Sequence, residues 1–443
     1  MRTGKLTVQL ADIFTRVIDE RAGVAFRAYD GSSAGPSDAA SVLEICRPEA
    51  VAHIVIAPGE LGLARAYVSG ALELHGDFHA GLHAVRTHRR AVPWSERLRI
   101  LRGLDLRALR WPPIPPEEMR PLQRPGRRHS RPRDAAAIAH HYDISNRFYE
   151  VVLGPSMAYT CACFRSPEAT LEDAQAEKFD LVCRKLALEP GDRLLDVGAG
   201  WGGMVMHAAE HYDVQALGVT LSRPQVQWAQ RAIAKRGLED RAEVRFLDYR
   251  DVAETGFDAV SSIGLTEHIG VRNLPAYFNF LMSRLRPEGR LLNHTITRAS
   301  NHQPNRVGKF INRYVFPDGE LESPGTVISA MHDEGFEVRH TENLREHYSM
   351  TLREWGANLE RGWKEAVSEA GERRARVWRL YMAASRMAFD LNHLELHQVL
   401  GVRPGSGGRS GMPLWPRWGN EWPLESRAGM RLTCLPERAR LDA

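Results

Sequence analysis

Apolar residues fall along this chain in two regimes that change near residue 134. Up to about residue 110, short β-like runs at Gly23 to Arg27 and Ala52 to Ile56 mix with helical spacing such as Gly62 to Gly70, which predicts a small α+β unit. Farther on, Glu172 to Leu188 has helical spacing with Thr170 as its N-cap, and RLLDVGAG from Arg193 reads as a strand running into a turn. Short apolar runs recur at Gln215 to Thr220, Glu243 to Leu247, Ala259 to Ile263 and Arg290 to Asn293, each separated by a helix-length segment. Repeated βα units of this kind predict an α/β fold, a parallel sheet with helices on both faces. Residues 300 to 400 are mostly helical in pattern, with one further apolar strand near their end. The tail from Gly401 is rich in Gly and Pro and carries Trp415, Trp418 and Trp422. The chain therefore divides into an N-terminal unit 1–110, a linker 111–133, a main domain 134–400 and a tail 401–443, without internal repeats.

Composition narrows this picture. The 443 residues are 43% hydrophobic and 26% charged, and mean hydropathy is -0.37, as in ordinary globular proteins. No uninterrupted apolar stretch reaches the roughly 18 residues of a membrane span, and the first residues lack the apolar core and cleavage site of a signal peptide, so a cytoplasmic protein is expected. Cys46, Cys161, Cys163, Cys183 and Cys434 are scattered, without a CxxC pair, which argues against a disulfide framework or a zinc module; no metal site is expected.

The net charge of +4 hides an asymmetry. Leu82 to Arg133 holds fourteen arginines, no lysine and four acids, a net of +10, leaving -6 for the remainder. Trp94, Leu98, Leu101 and Leu104 recur at helical spacing with Arg97, Arg99, Arg102, Arg107 and Arg110 mostly off that stripe, a basic amphipathic helix. The prolines of WPPIPPEEMRPLQRPGRRHSRPR then forbid its continuation. Such a segment suits an anionic lipid surface, a nucleic acid or simply water.

Asp196-Val-Gly198-Ala-Gly200-Trp-Gly202-Gly203 follows a buried-type strand and precedes a helix at Met204. Glycines there let the backbone turn and approach a ligand at the strand's carboxyl end. A dinucleotide fingerprint would place an acid about 20 residues on, but the second strand ends Gly218-Val-Thr220-Leu-Ser222 without one. The acid precedes the glycines, as Asp196, the arrangement of S-adenosylmethionine-dependent methyltransferases, which is preferred here over nicotinamide binding or a structural turn. The fold expected is thus a Rossmann-like class I methyltransferase sheet behind a small α+β N-terminal domain. Strand-end positions nominate Thr220, Ser222 and Gln225 for the ribose hydroxyls and Asp248 and Tyr249 for the adenine. Ser222 equally suits a helix N-cap before Pro224, and the two roles can coexist. Glu267 and His268 fall just past the fourth strand, and His294 at the end of the next, where a carboxylate and an imidazole could bind substrate or handle a proton.

Seven stretches together, HHYDISNRFYEVVLGPSMAYTCACF, LLDVGAGWGG, GVTLSRPQ, FLDYRD, SSIGLTEHIG, NHTIT and LREHYSMTLREW, resemble the cyclopropane-fatty-acid synthases and mycolic acid cyclopropane synthases over roughly residues 134 to 400. The resemblance implies methyl transfer from S-adenosylmethionine to a cis double bond in a phospholipid acyl chain. It places Tyr159, Thr160, Gly198, Gly200, Thr220, Gln225, Tyr249 and Ile263 at the cofactor. It further implies a bicarbonate ion as base, held by Glu267, His294, Tyr348 and the backbone of Cys161 and Ile296, with Tyr142 near the sulfonium and acyl chain. An alkene is a poor nucleophile, so such a site must align it with the methyl group and stabilise a cation in a dry apolar tunnel; Tyr142, Tyr159 and Phe164 offer aromatic faces. The chain departs from the usual pattern at Ala199, at Thr266 where Phe is usual, at Thr160 and Cys163 in the lid, and at Ser385, often Cys.

The carbocation on the acyl chain has two exits: proton loss from the new methyl closes a cyclopropane, and a hydride shift followed by proton loss from that methyl leaves an exocyclic methylene. The segment LNHLELHQVLGVRP followed by GMPLWPRW is similar to the branch making 10-methylene acids, precursors of tuberculostearic-type lipids, so the methylene product is slightly favoured and would call for a separate reductase partner. Methylation of a soluble small molecule or of RNA is the alternative; the basic segment lacks the interleaved aromatics of an RNA surface, and no nucleic-acid partner is expected. Lipid methylation accounts for the basic helix as a peripheral attachment to the anionic inner face of the membrane. Family members are often homodimers, a state that composition does not decide.

Overall fold

The computed structural model describes residues 8–104, 111–119, 128–133, 144–416 and 418. Residues 1–410 form one compact unit and residues 411–443 a second. The N-terminal part runs α1 (Leu10–Val17), β1 (Val24–Ala28), β2 (Ser33–Ala34), β3 (Ser41–Ile45), α2 (Pro48–Ile56), α3 (Glu60–Val68), β4 (Leu72–Gly76) and α4 (Phe78–Thr87). Its sheet has the order β2-β1-β3-β4, and Phe26, Ala50, Tyr67, Leu74 and Phe78 build its core. The strand expected at Ala52 to Ile56 is instead the second half of α2. Pro48 presets the helical φ in its first turn, and an apolar run of five residues carries no periodicity that separates strand from helix. Gly62 lets α3 start against the end of α2, since a Cβ there would meet the Ala57 carbonyl oxygen at 2.3 Å.

The basic helix forms as expected, α5 (Trp94–Gly103). It rests on the N-terminal core through Ile100 and the following Leu104, whereas Trp94 (70%) and Leu101 (37%) remain exposed beside the arginines.

The main sheet has the order β10-β11-β9-β8-β5-β6-β7. Its five expected strands, β5 (Arg193–Val197), β6 (Gln215–Thr220), β7 (Ala242–Phe246), β8 (Phe257–Ile263) and β9 (Leu285–Arg298), are parallel. Two more strands extend it: β11 (Leu394–Val402) lies antiparallel between β9 and β10 (Glu337–Asn343). Gly401 and Val402, read as the start of the tail, thus belong to the sheet. A Cβ at Gly401 would meet Met331 at 2.7 Å. The helices are α6 (Asn146–Leu153), α7 (Leu171–Leu186), α8 (Gly203–Tyr212), α9 (Arg223–Arg236), α10 (Thr266–Ile269), α11 (Leu274–Arg284), α12 (Lys309–Tyr314), α13 (Pro324–Asp333), α14 (Arg345–Arg361), α15 (Trp363–Ala370) and α16 (Glu372–Asp390). Thr170 caps α7 as expected, accepting from the Asp173 N–H. Among the described residues no helix is long and apolar enough to cross a membrane.

The described parts of the segment read as a linker, residues 111–119 and 128–133, are fastened to this body. The Glu118 carboxylate, fully buried, accepts from Arg65 of α3 at 2.7 and 2.8 Å and from the Tyr314 hydroxyl at 3.2 Å. Farther on, Arg133 pairs with Asp318 at 2.5 Å, Arg128 with Glu320 at 3.1 Å and Arg131 with Asp251 at 2.9 Å. These arginines face acids of the protein itself.

Candidate active site

Open α/β sheets bind ligands beyond the carboxyl ends of their strands, and here that edge carries nearly all of the residues nominated by sequence. The loop after β5 takes left-handed backbone at Gly198 (φ 80°), Gly200 (φ 55°) and Gly202 (φ 78°). The Gly198 and Ala199 N–H groups both donate to the Val219 carbonyl at 3.0 Å, which ties the loop to β6. A Cβ on Gly200 would find only the Gln225 amide nitrogen, 4.0 Å away, so the loop leaves an open cradle of the kind a nucleoside cofactor fills. Ala199 is accommodated because Gly218 faces it; a Cβ at 218 would lie 2.7 Å from that of Ala199.

Around the cradle, polar side chains satisfy one another. Thr220 Oγ1 donates to Gln225 Oε1 at 2.8 Å, and Ser222 caps α9 through the Gln225 N–H, the helix-cap role weighed for it. Asp248 accepts from the backbone and guanidinium of Arg250, at 2.6 to 3.0 Å. Burial opposes its ionisation, but those bonds outweigh burial and hold its carboxyl below the usual value. The Tyr249 ring meets Tyr277 and Phe280 edge-on at 5.3 and 5.5 Å. Asp196 is fully buried and accepts from Ser261 Oγ at 2.6 Å; burial lifts its carboxyl to about 6.

The lid before α7 sits directly on this edge. Thr160 Cγ2 would touch a Cβ on Gly264 at 3.1 Å, and buried Lys178 of α7 donates to Thr160 Oγ1 at 2.9 Å. Tyr159 donates to the Tyr381 hydroxyl at 3.1 Å, and its ring lies 5.3 Å from Trp355, 5.5 Å from Trp378 and 6.5 Å from Phe316. This aromatic wall suits both an acyl chain and a developing cation.

Beside the wall lies a buried polar cluster of a different character. Glu267 of α10 accepts from the Ile296 N–H at 2.7 Å through Oε1, while Oε2 is buried with no partner among the described residues. Burial raises its carboxyl to about 7. The Ile296 N–H is thus engaged in orienting Glu267. His294, inside β9 and in register with Ile263 at the end of β8, is held neutral by burial; its Nε2 also lacks a partner among the described residues. Cys161 Sγ and the Tyr348 N–H both approach the Leu344 carbonyl, at 3.9 and 3.2 Å, so the lid and the first turn of α14 meet there. Burial pushes the Cys161 thiol well up, which rules out a thiolate role. Tyr142 lies outside the described residues. His268 turns its carbonyl to His129 (3.0 Å) and its ring to Phe316 (5.4 Å). Thr266, the departure next to Glu267, donates to Asn293 Oδ1 at 2.7 Å. Sequence reasoning missed Lys178, Lys185, Tyr381 and Gln398. The available signal was two lysines seven apart on the apolar face of α7.

The family model for mycolic acid cyclopropane synthetase matches residues 129–399. A probable fatty acid methyltransferase of Mycobacterium tuberculosis is 51% identical over 429 residues, covering 94% of this chain and all of that protein. The cyclopropane-fatty-acyl-phospholipid synthase of Escherichia coli K12 is 35% identical over 59% of this chain and 66% of its own length. A crystal structure of a mycolic acid cyclopropane synthase complexed with SAH and CTAB superposes with a TM-score of 0.58 at 32% identity, covering 60% of this chain and 98% of that one.

Proposed function

This chain belongs to the mycolic acid cyclopropane synthetase family, and from that premise we propose that it methylates the cis double bond of an unsaturated phospholipid acyl chain and yields a 10-methylene branch in preference to a cyclopropane. At the coarser level it is an S-adenosylmethionine-dependent methyltransferase of the cyclopropane fatty acid synthase family. Gly198, Gly200 and Gln225 would hold the cofactor, which when bound would supply an electrophilic methyl group. The aromatic wall of Tyr159, Trp355 and Trp378 aligns the alkene, excludes water and stabilises the carbocation on the acyl chain with its ring faces.

The observation that supports an anion beside the acyl chain is two buried polar atoms without partners among the described residues, Glu267 Oε2 and His294 Nε2. Such atoms cost folding energy unless a ligand satisfies them. Bicarbonate held by Glu267, His294, Tyr348 and the backbone of Cys161 would supply the base that takes the last proton. Ile296 contributes by fixing the Glu267 carboxylate.

Membrane attachment falls to α5, whose Trp94, Leu101, Arg97, Arg99 and Arg102 are exposed. Replacing the three arginines together should weaken binding to anionic vesicles, more at low salt than at high; unchanged binding removes α5 from that role. The reaction itself is tested by lipid mass spectrometry in cells making oleoyl phospholipids, with methyl-labelled cofactor and no added reductase. Vinylidene protons in the NMR spectrum of the one-carbon-heavier lipid are expected, and a reductase would then complete the 10-methyl product. Upfield cyclopropane protons would reassign the product, and absence of labelled lipid would favour a soluble substrate.

A further inference from the structure

Three residues stand in one row across the sheet. Glu342 of β10 is the direct partner of Gln398 of β11, and Gln398 the direct partner of His294 of β9. Partners in an antiparallel ladder point to the same face, and Lys185 of α7 lies over that face. Its Nζ donates to Glu342 Oε2 and, at 2.7 Å, to Gln398 Oε1. Lys185 is 1% exposed, so Glu342 supplies the countercharge that a buried ammonium needs.

The ammonium fixes the polarity of the whole row. A lysine has donors only, so the atom of Gln398 that faces it is the carbonyl oxygen. The other end of the amide, 3.2 Å from His294 Nδ1, is then the NH2 group. Nδ1 must accept, which puts the single proton of a neutral imidazole on Nε2, the nitrogen with no partner among the described residues.

We infer that Lys185 and Gln398 are positioning residues that hold His294 as the Nε2–H tautomer, so that it presents a hydrogen-bond donor to the anion in the base pocket. The inference rests on the base-pocket reading above. The opposite tautomer would aim a lone pair at an anionic oxygen. Burial, which keeps the ring neutral, leaves the tautomer as the one property for the row to set.

The test is a long-range 1H–15N correlation on protein labelled in histidine nitrogens, with His294 assigned by its loss in His294→Asn. In the wild type Nε2 should be protonated and Nδ1 bare. Gln398→Glu places a carboxylate oxygen at Nδ1 and should move the proton there, lowering kcat about 10- to 100-fold with KM for the lipid and affinity for SAH unchanged. Lys185→Met frees the Gln398 amide to rotate and should give both tautomers with a smaller loss; it also serves if Gln398→Glu does not fold. A wild-type His294 protonated on Nδ1, or a switched tautomer at full kcat, overturns the proposal. Failure of the base-pocket reading looks different: Glu267→Gln would keep wild-type turnover while the tautomer still followed Lys185 and Gln398.

Discussion

The cofactor cradle and the base pocket occupy neighbouring strand ends but are finished in opposite ways. Around the cradle each polar side chain has a protein partner, Thr220 with Gln225, Ser222 with the N-terminus of α9, Asp248 with Arg250, Asp196 with Ser261. In the pocket, Glu267 and His294 each keep one buried polar atom without one among the described residues. A buried orphan costs about 1–3 kcal/mol, so the pocket gives up stability that an anion would restore. On the proposed reading the cradle would recognise by the shape of its backbone, the pocket by hydrogen bonds left unmade.

The largest expected effect bears on the pocket. Glu267→Gln should lower kcat on the order of 100-fold or more while calorimetry finds SAH affinity unchanged; an equal loss in both would erase the distinction. On the cradle side, Gly218→Ala puts a methyl group 2.7 Å from Ala199 and 2.8 Å from Val205. It should cost about 1–3 kcal/mol of stability and weaken SAH binding, with Ala199→Gly in the same chain recovering part of both. The smallest effect separates the regions by pH. Burial raises Glu267 to about 7 and Asp196 to about 6, so the folded protein keeps two protons that the unfolded chain releases near pH 4. The stability these groups contribute is therefore full below about pH 4 and is lost as pH rises through 6 to 7. Thermal unfolding of Glu267→Gln should show a shallower decline that ends near pH 6, where only Asp196 remains; a profile parallel to the wild type would refute that assignment.

The parallel strands and the glycine loop were legible because a buried strand is a dense apolar run and a tight turn requires glycine. β10 escaped because its sequence, EVRHTEN, is polar at a sheet edge with no buried residue. Its contribution, Glu342, matters only through a lysine 157 positions away. Glu267 and His294 were legible by position and Tyr348, on α14, only by resemblance; all three are buried. Their supports were not legible, because a lysine on a helix reads as solvated until the helix is seen against a sheet. The ion pairs of the basic segment escaped for the same reason. Its charge is local, whereas Asp318 and Glu320 lie about 190 residues downstream.

That segment has a further consequence. Glu320, held down to about 2 by His129 and Arg128, accepts from the Val271 N–H and donates its own N–H to the Glu267 carbonyl. Residues 128–133 therefore brace the loop that carries Glu267. Under the proposed docking through α5, about 1 kcal/mol per arginine at an anionic surface would make each visit to the bilayer short. On that reading, an enzyme acting on the bilayer's own bulk would gain by such brief residence: it would release, land elsewhere and meet unmodified lipid instead of exhausting the patch beneath it.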